Sequence, residues 1–244
     1  MQNTHETDAL VDPNSQEEPL RAKVRLIQEL LCAEYRCPIP YFHELDPLSE
    51  LVSSLLSHRT RNADSSAAFR QLRTRYPLWE NVRDAPVAEV QAAIASCTWP
   101  EQKAPRLQQI LRLITQERGS LSLDFLETMA SEEAQTWLQT LPGVGPKTSA
   151  AVLAFSRMRR VALPVDSHHH RVAVRLGLIP PTVSVGPAHA LLVAQLPPEW
   201  DAQQVYDNHE VMMLHGQRCC FHFNPSCERC VLLLECPTGQ RKGT

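Results

Sequence analysis

The sequence predicts an all-α protein, and three observations carry that prediction. Apolar residues recur at three- and four-residue spacing in several separate stretches. No sustained stretch alternates apolar and polar residues between turn signals, as a half-buried strand would. Nineteen prolines against eight glycines punctuate the chain, mostly between the periodic stretches: Pro38, Pro40, Pro47, Pro77, Pro86, Pro100, Pro164, Pro180 and Pro181. Many short helices joined by proline turns suit a compact helical barrel or bundle, not a long coiled coil. There is no internal repeat with the period of a solenoid.

The elements follow in order. Residues 1–19 hold five acids and no Lys or Arg, and read as a short disordered acidic tail. Leu20, Val24, Ile27 and Leu31 then share a helical face. Leu48, Leu51, Val52, Leu55 and Leu56 do the same, as do Leu107, Ile110, Leu111 and Ile114, and later Val205, His209 and Met212. Ser131 is the expected N-cap of a short helix carrying Trp137 and Leu138. Glu132 and Glu133 would lie in its first turn, where the helix dipole favours acids. Ala134 stands where a full capping box from Ser131 would need Glu or Gln.

Composition excludes several classes. The 244 residues suffice for one large domain or two small ones with a real core. No run of about 18 apolar residues offers a membrane span, and Met1 to Pro19 does not read as an export signal. The formal charge of −3 is uneven: beyond the tail, 24 basic and 22 acidic side chains leave +2. That balance neither demands nor forbids nucleic acid.

The segment Leu141-Pro142-Gly143-Val144-Gly145-Pro146-Lys147-Thr148 leads into an apolar run. Gly143 and Gly145 are expected to allow backbone angles closed to other residues and a close approach by another backbone. Pro146 suits a first helical turn, where its missing N–H costs nothing. The free N–H groups of that turn suit a phosphate, so the element can hold a DNA backbone without reading its sequence. A plain helix–turn–helix connection is the alternative. It is not a P-loop, because the Gly-x4-Gly-Lys-Ser/Thr spacing is absent. Lys147 sits at the helix start, where the dipole and desolvation would disfavour its ammonium form and suit it to Schiff-base chemistry. A solvated lysine touching phosphate is the plain alternative.

Asp166 opens Val165-Asp166-Ser167-His168-His169-His170-Arg171-Val172, with the helix expected to stop at Gly177. It can cap that helix and present a rigid carboxylate to a cleft, two compatible roles. The three histidines cannot converge on one metal, since adjacent helical positions point about 100° apart. The C-terminal pattern is Cys220-x6-Cys227-x2-Cys230-x5-Cys236. Four thiolates this close can enclose zinc or an iron–sulfur cluster, and spacing alone leaves both open. Cys219 falls outside this register. Cys32, Cys37 and Cys97 are expected as buried or free thiols.

The string L-P-G-V-G-x-K-T at 141–148, the segment V-D-S-H-x-x-R-V at 165–172 and the cysteine loop occur in one order. Together with His215, Gly216 and Pro225 they resemble the endonuclease III family of helix-hairpin-helix DNA glycosylases, over roughly residues 20–237. The resemblance implies a two-domain α fold: a six-helix barrel domain over 40–159 carrying the hairpin, and a cluster domain built from 20–39 and 160–244. It implies a 4Fe-4S cluster on Cys220, Cys227, Cys230 and Cys236, stapling a loop that brings Arg218 and Arg229 toward phosphates. DNA would cross the groove between the domains. Leu141, Gly143, Val144, Gly145, Pro146, Thr148 and His168 would contact it, and Lys147 and Asp166 would be catalytic.

The implied activity is a bifunctional DNA glycosylase/AP lyase of base excision repair that removes oxidised pyrimidines. The base is flipped out, Lys147 attacks the sugar C1′, and β-elimination of the Schiff base cuts the strand. Lysine at 147 argues against the family's adenine glycosylases. The implied partner is double-stranded DNA with damaged bases or abasic sites, bound by a monomer in the cytoplasm, on the nucleoid if bacterial. Two positions depart from the family. Arg59 replaces the glutamine of L-L-S-x-Q-x-T, and Trp99-Pro100 replaces an aliphatic or aromatic wedge followed by tyrosine. Both lie in loops that distort DNA. They leave open a base preference shifted to alkylated or mismatched bases, or a weakly catalytic lesion-binding paralogue. His169 and His170 are also unusual for the family.

Overall fold

A computed structural model describes residues 14–241, with side chains from residue 18. Met1–Pro13 of the expected tail lie outside the described residues, and residues 14–19 belong to the first helix. The helices are α1 (Asn14–Tyr35), α2 (Pro47–Ser57), α3 (Asn62–Arg75), α4 (Trp79–Asp84), α5 (Val87–Ala93) and α6 (Pro100–Arg118). They continue as α7 (Ser131–Leu138), α8 (Pro146–Phe155), α9 (Ser167–Leu176), α10 (Val185–Ala194), α11 (Ala202–Arg218) and α12 (Pro237–Gln240). No strand occurs among the described residues, and none of their helices is long and apolar enough to cross a membrane.

All four predicted periodic stretches are helical, in α1, α2, α6 and α11. Several prolines begin helices instead of separating them: Pro47, Pro100 and Pro146 each stand in a first turn, where no N–H is needed. Asp46 caps α2 by accepting from the Ser49 N–H at 2.9 Å. The N-cap of α7 is Ala130 rather than Ser131. The shift by one residue puts Glu133 where its carboxylate accepts from the Ala130 N–H at 3.2 Å, which is half of a capping box. Cys32 and Cys37 form a disulfide, contrary to the expectation of free thiols. Helix α1 ends at Tyr35, and Arg36 turns the chain through a left-handed conformation (φ 65°), which brings Cys37 back to Cys32. Cys97 is a buried free thiol, as expected.

Apolar side chains collect in two cores. In the first, Leu51, Val52 and Leu56 of α2 pack with Ile110, Leu111 and Ile114 of α6 and Val152 and Leu153 of α8. In the second, Val24, Ile27 and Leu31 of α1 meet Val172 and Leu176 of α9 and Val211 and Met212 of α11. Burying each such side chain contributes about 1.5–3 kcal/mol. The chain crosses from one core to the other between Ala162 and Leu163. Lys147 therefore stands on a helix of the first core, and Asp166 at the head of a helix of the second.

The approach of α9 to α11 fixes where that head lies. A Cβ on Gly216 of α11 would come 2.8 Å from the His168 Cβ and 3.2 Å from its Cα and carbonyl oxygen. Only a residue without a side chain permits this crossing. Arg171 fastens it, donating to the Gly216 carbonyl at 2.7 Å and the Cys220 carbonyl at 3.0 Å. Gly216→Val is expected to destabilise the protein by about 2 kcal/mol through overpacking against backbone, read by urea unfolding. It would also lower activity by displacing the start of α9.

Candidate active site

The hairpin between α7 and α8 needs one left-handed residue, and Gly143 supplies it (φ 80°). Gly145 does not share that role: it is extended, with φ −106° and ψ −175°. A Cβ there would meet nothing within 4 Å, so that face of the turn is open. Leu141 and Val144 are buried in the first core, so at those positions only the backbone can meet DNA. Thr148 is buried too, with its hydroxyl hydrogen-bonded to His58 Nε2 at 2.9 Å. Its side chain ties α8 to the loop after α2 and is not turned toward a ligand, unlike the expectation of a contact residue. Pro146 begins α8 and Lys147 follows, half-buried.

Lys147 lines two cavities that meet at its side chain and at Ser57. One of them, polar and of about 430 Å³, also contains Asp166, His168, His209, Glu210, Glu50, His43 and Phe42. Asp166 caps α9, its Oδ1 accepting from the His169 N–H at 2.7 Å. Burial alone would push its carboxyl up, but the adjacent His209 and this N–H outweigh burial and hold it below the usual range. Asp166 is thus an ionised group in a fixed orientation.

The histidine run divides as helical geometry requires. His168 faces the cleft, its Nδ1 hydrogen-bonded to Arg171 at 3.1 Å. His169 turns inward and stacks on His209, with ring centroids 6.1 Å apart. His170 hydrogen-bonds the Val183 carbonyl at 2.8 Å. The two residues that were unusual in sequence are therefore supports of α9. Burial pushes His169 down to about 3 and His209 to about 4.

The second cavity, of about 440 Å³, is walled by cations: Arg59, Lys103 and Arg106 join Lys147. Their effect is visible at His58, which burial and then the charges of Lys147, Lys103 and Arg106 push down to about 4. Here is the local basic patch that net charge could not reveal. Lys103 donates to the Leu56 and His58 carbonyls and the Thr60 hydroxyl, at 2.6, 2.8 and 2.8 Å. It thereby closes the end of α2 and shapes the loop bearing Arg59. Arg59 (φ 51°) and Trp99 (φ 54°) are both left-handed, with the guanidinium 5.9 Å from the indole centroid. Non-glycine residues in that region are held there against a steric cost. The two sequence departures thus form one exposed pair at the cavity rim.

Sequence reasoning did not single out His43, Glu50, Glu210, Lys103 or Arg106 as site residues. Glu50 gave a signal: a lone acid inside the apolar α2 pattern that is nonetheless buried. Glu210 and Arg106 gave none, because nothing in a helical sequence says which polar face borders a cleft.

Cys220, Cys227, Cys230 and Cys236 line one apolar cavity with Val172, Leu176 and Leu232. The donor set fits a thiolate-bound group. Burial pushes the Cys230 thiol up to about 12, so a thiolate there needs a bound cation to stabilise it. Cys219, outside the sequence register, lies with Cys230 and His215 so that their ligand atoms fall within 4.8 Å of one another. Arg175 donates to Cys220 Sγ at 3.1 Å. Arg218 and Arg229 are exposed beside the loop.

The sequence profile of the HhH-GPD superfamily, base excision DNA repair proteins, matches residues 52–195. An endonuclease III of Thermotoga maritima is 31% identical over 200 residues, covering 82% of this chain and 87% of that one. An Arabidopsis thaliana protein provisionally named a DNA glycosylase is 33% identical over 172 residues, 70% of this chain but only 57% of its own length. Among solved structures, a trapped endonuclease III–DNA covalent intermediate superposes with a TM-score of 0.77 at 22% identity. It covers 92% of this chain and 99% of the other, a likeness of fold.

The buried histidines predict how stability depends on pH. His58, His169 and His209 titrate at about 4, 3 and 4 in the folded protein, against about 6.5 when unfolded. Their folded values are depressed, so their contribution is present above pH 6.5 and is lost as pH falls toward 4. Glu210, raised to about 7, works the other way, stabilising at low pH and losing that contribution as pH rises through 7. Three groups outweigh one. The unfolding free energy is expected to fall by several kcal/mol between pH 6.5 and 4, measured by denaturant titration across that range.

Proposed function

The chain belongs to the HhH-GPD superfamily of base excision DNA repair proteins, on its endonuclease III-like side, and from that premise we propose that it is a bifunctional DNA glycosylase/AP lyase. The observation that carries this reading is that Lys147 and the ionised Asp166 share one cleft. The substrate is duplex DNA carrying an oxidised pyrimidine or an abasic site, its phosphates held by the hairpin backbone and the cationic wall. The damaged base leaves the stack and enters the 430 Å³ cavity. Lys147 Nζ forms a bond to C1′ while the bond to the base breaks. Asp166 stabilises the positive charge that develops on the sugar. Ring opening gives the protonated imine, loss of a C2′ proton follows, and the 3′ phosphate leaves, which cuts the strand.

The same reading assigns the four cysteines a 4Fe-4S cluster, which when bound supplies a cross-link for a loop poor in core residues. A base preference shifted from that of typical relatives is favoured by one observation, the Arg59–Trp99 pair at the rim. An arginine stacked on an indole fills a vacated base position differently from glutamine.

Borohydride added to the protein with an abasic duplex is expected to trap a covalent adduct that Lys147→Gln abolishes. Tight DNA binding without any adduct would remove the lyase activity from the reading. Purified protein is expected to carry about four irons and four sulfides per chain, assayed chemically. Cys227→Ser would lower both and bring the unfolding transition down. One zinc and no sulfide would overturn the cluster.

A further inference from the structure

With the sugar held at Lys147 and Asp166, the attached base must lie against the remaining walls of that cleft. Phe42, edge-on to Phe155 at 5.7 Å between centroids, offers an aromatic wall. Two carboxyl groups are the other distinctive features. That of Glu50 is engaged: the Ser54 hydroxyl donates to one oxygen at 2.8 Å, and His43 Nε2 lies 3.0 Å from the other. Glu210 is different. It is 8% exposed and lines the cleft, yet no hydrogen bond or ion pair to its carboxyl occurs among the described residues. Its carboxyl is thus left to the cleft and whatever fills it, and its charged neighbours Asp166 and Asp207 are of the same sign. Burial, then these two carboxylates, push it up to about 7, so its neutral acid is populated at physiological pH.

We infer that Glu210 is a specificity-determining residue, whose carboxyl reads the hydrogen-bonding edge of the base displaced into the cleft. This rests on the glycosylase reading above. A neutral carboxyl presents one donor and one acceptor side by side. That pair matches an edge with adjacent N–H and carbonyl groups, such as N3–H and C4=O of a thymine-derived base, through two hydrogen bonds. A carboxylate offers acceptors only and would meet the carbonyl with repulsion. Glutamine carries the donor and acceptor permanently, and leucine carries neither.

The test uses three duplexes, bearing a single thymine glycol, the same base methylated at N3, or an abasic site. Base release is expressed relative to each variant's own cleavage of the abasic duplex, which contains no base to read. The parent is expected to prefer thymine glycol over its N3-methyl form by at least about tenfold, the factor associated with one unmatched buried hydrogen bond. Glu210→Gln would retain that preference, and Glu210→Leu would erase it. A leucine variant that discriminates as the parent does would overturn the proposal. So would a parent that cleaves the abasic duplex but releases both bases equally, or neither. A parent inactive on all three duplexes would instead bring down the glycosylase reading itself.

Discussion

The guanidinium of Arg171 is the joint on which the arrangement depends. From α9 it reaches the His168 ring, the Gly216 carbonyl near the end of α11 and the Cys220 carbonyl at the entrance to the cysteine loop. The planar fork of arginine can hold several acceptors at once, which a lysine ammonium does not do with fixed directions. Carbonyls at a helix end have no partner within the helix, so the joint also satisfies groups that would otherwise be left bare. Through it, the aspartate at the head of α9 is tied to the loop whose cysteines line the apolar cavity.

A second constraint acts on the opposite wall. Lys103 gathers the end of α2 and the following loop around one ammonium, and burial lowers the basicity of that amine. The loop can then carry Arg59 in a left-handed conformation against Trp99. The rim is therefore supported by polar contacts, while Lys147 is set by the hairpin. The hydrogen bond between Thr148 and His58 joins the two.

Much of this was legible in sequence because it is local. Helical periodicity exposed α1, α2, α6 and α11, and Asp166 followed by a helix ending at Gly177 is a cap-to-stop pattern that needs no tertiary knowledge. The hairpin's left-handed turn was legible, but not which of its two glycines makes it, since glycine permits it at either position. What stayed hidden depends on long-range contact. Thr148 looked like a ligand contact until His58, ninety positions away, took its hydroxyl. Cys32 and Cys37 looked free because the turn at Arg36 that unites them has no sequence signature. The burial of His169 and Glu210 follows from the α9–α11 packing, which no single helix encodes.

Among the described residues, Lys147 and Ser57 border both cavities. One chamber is cationic and suits phosphate or sulfonate groups; the other is lined by carboxyls and aromatic rings. For inhibitor chemistry, this means that two unrelated classes of fragment could each be grown toward the same primary amine. An aldehyde at the inner end of either would meet it, and a ligand bridging both chambers would pass directly beside it.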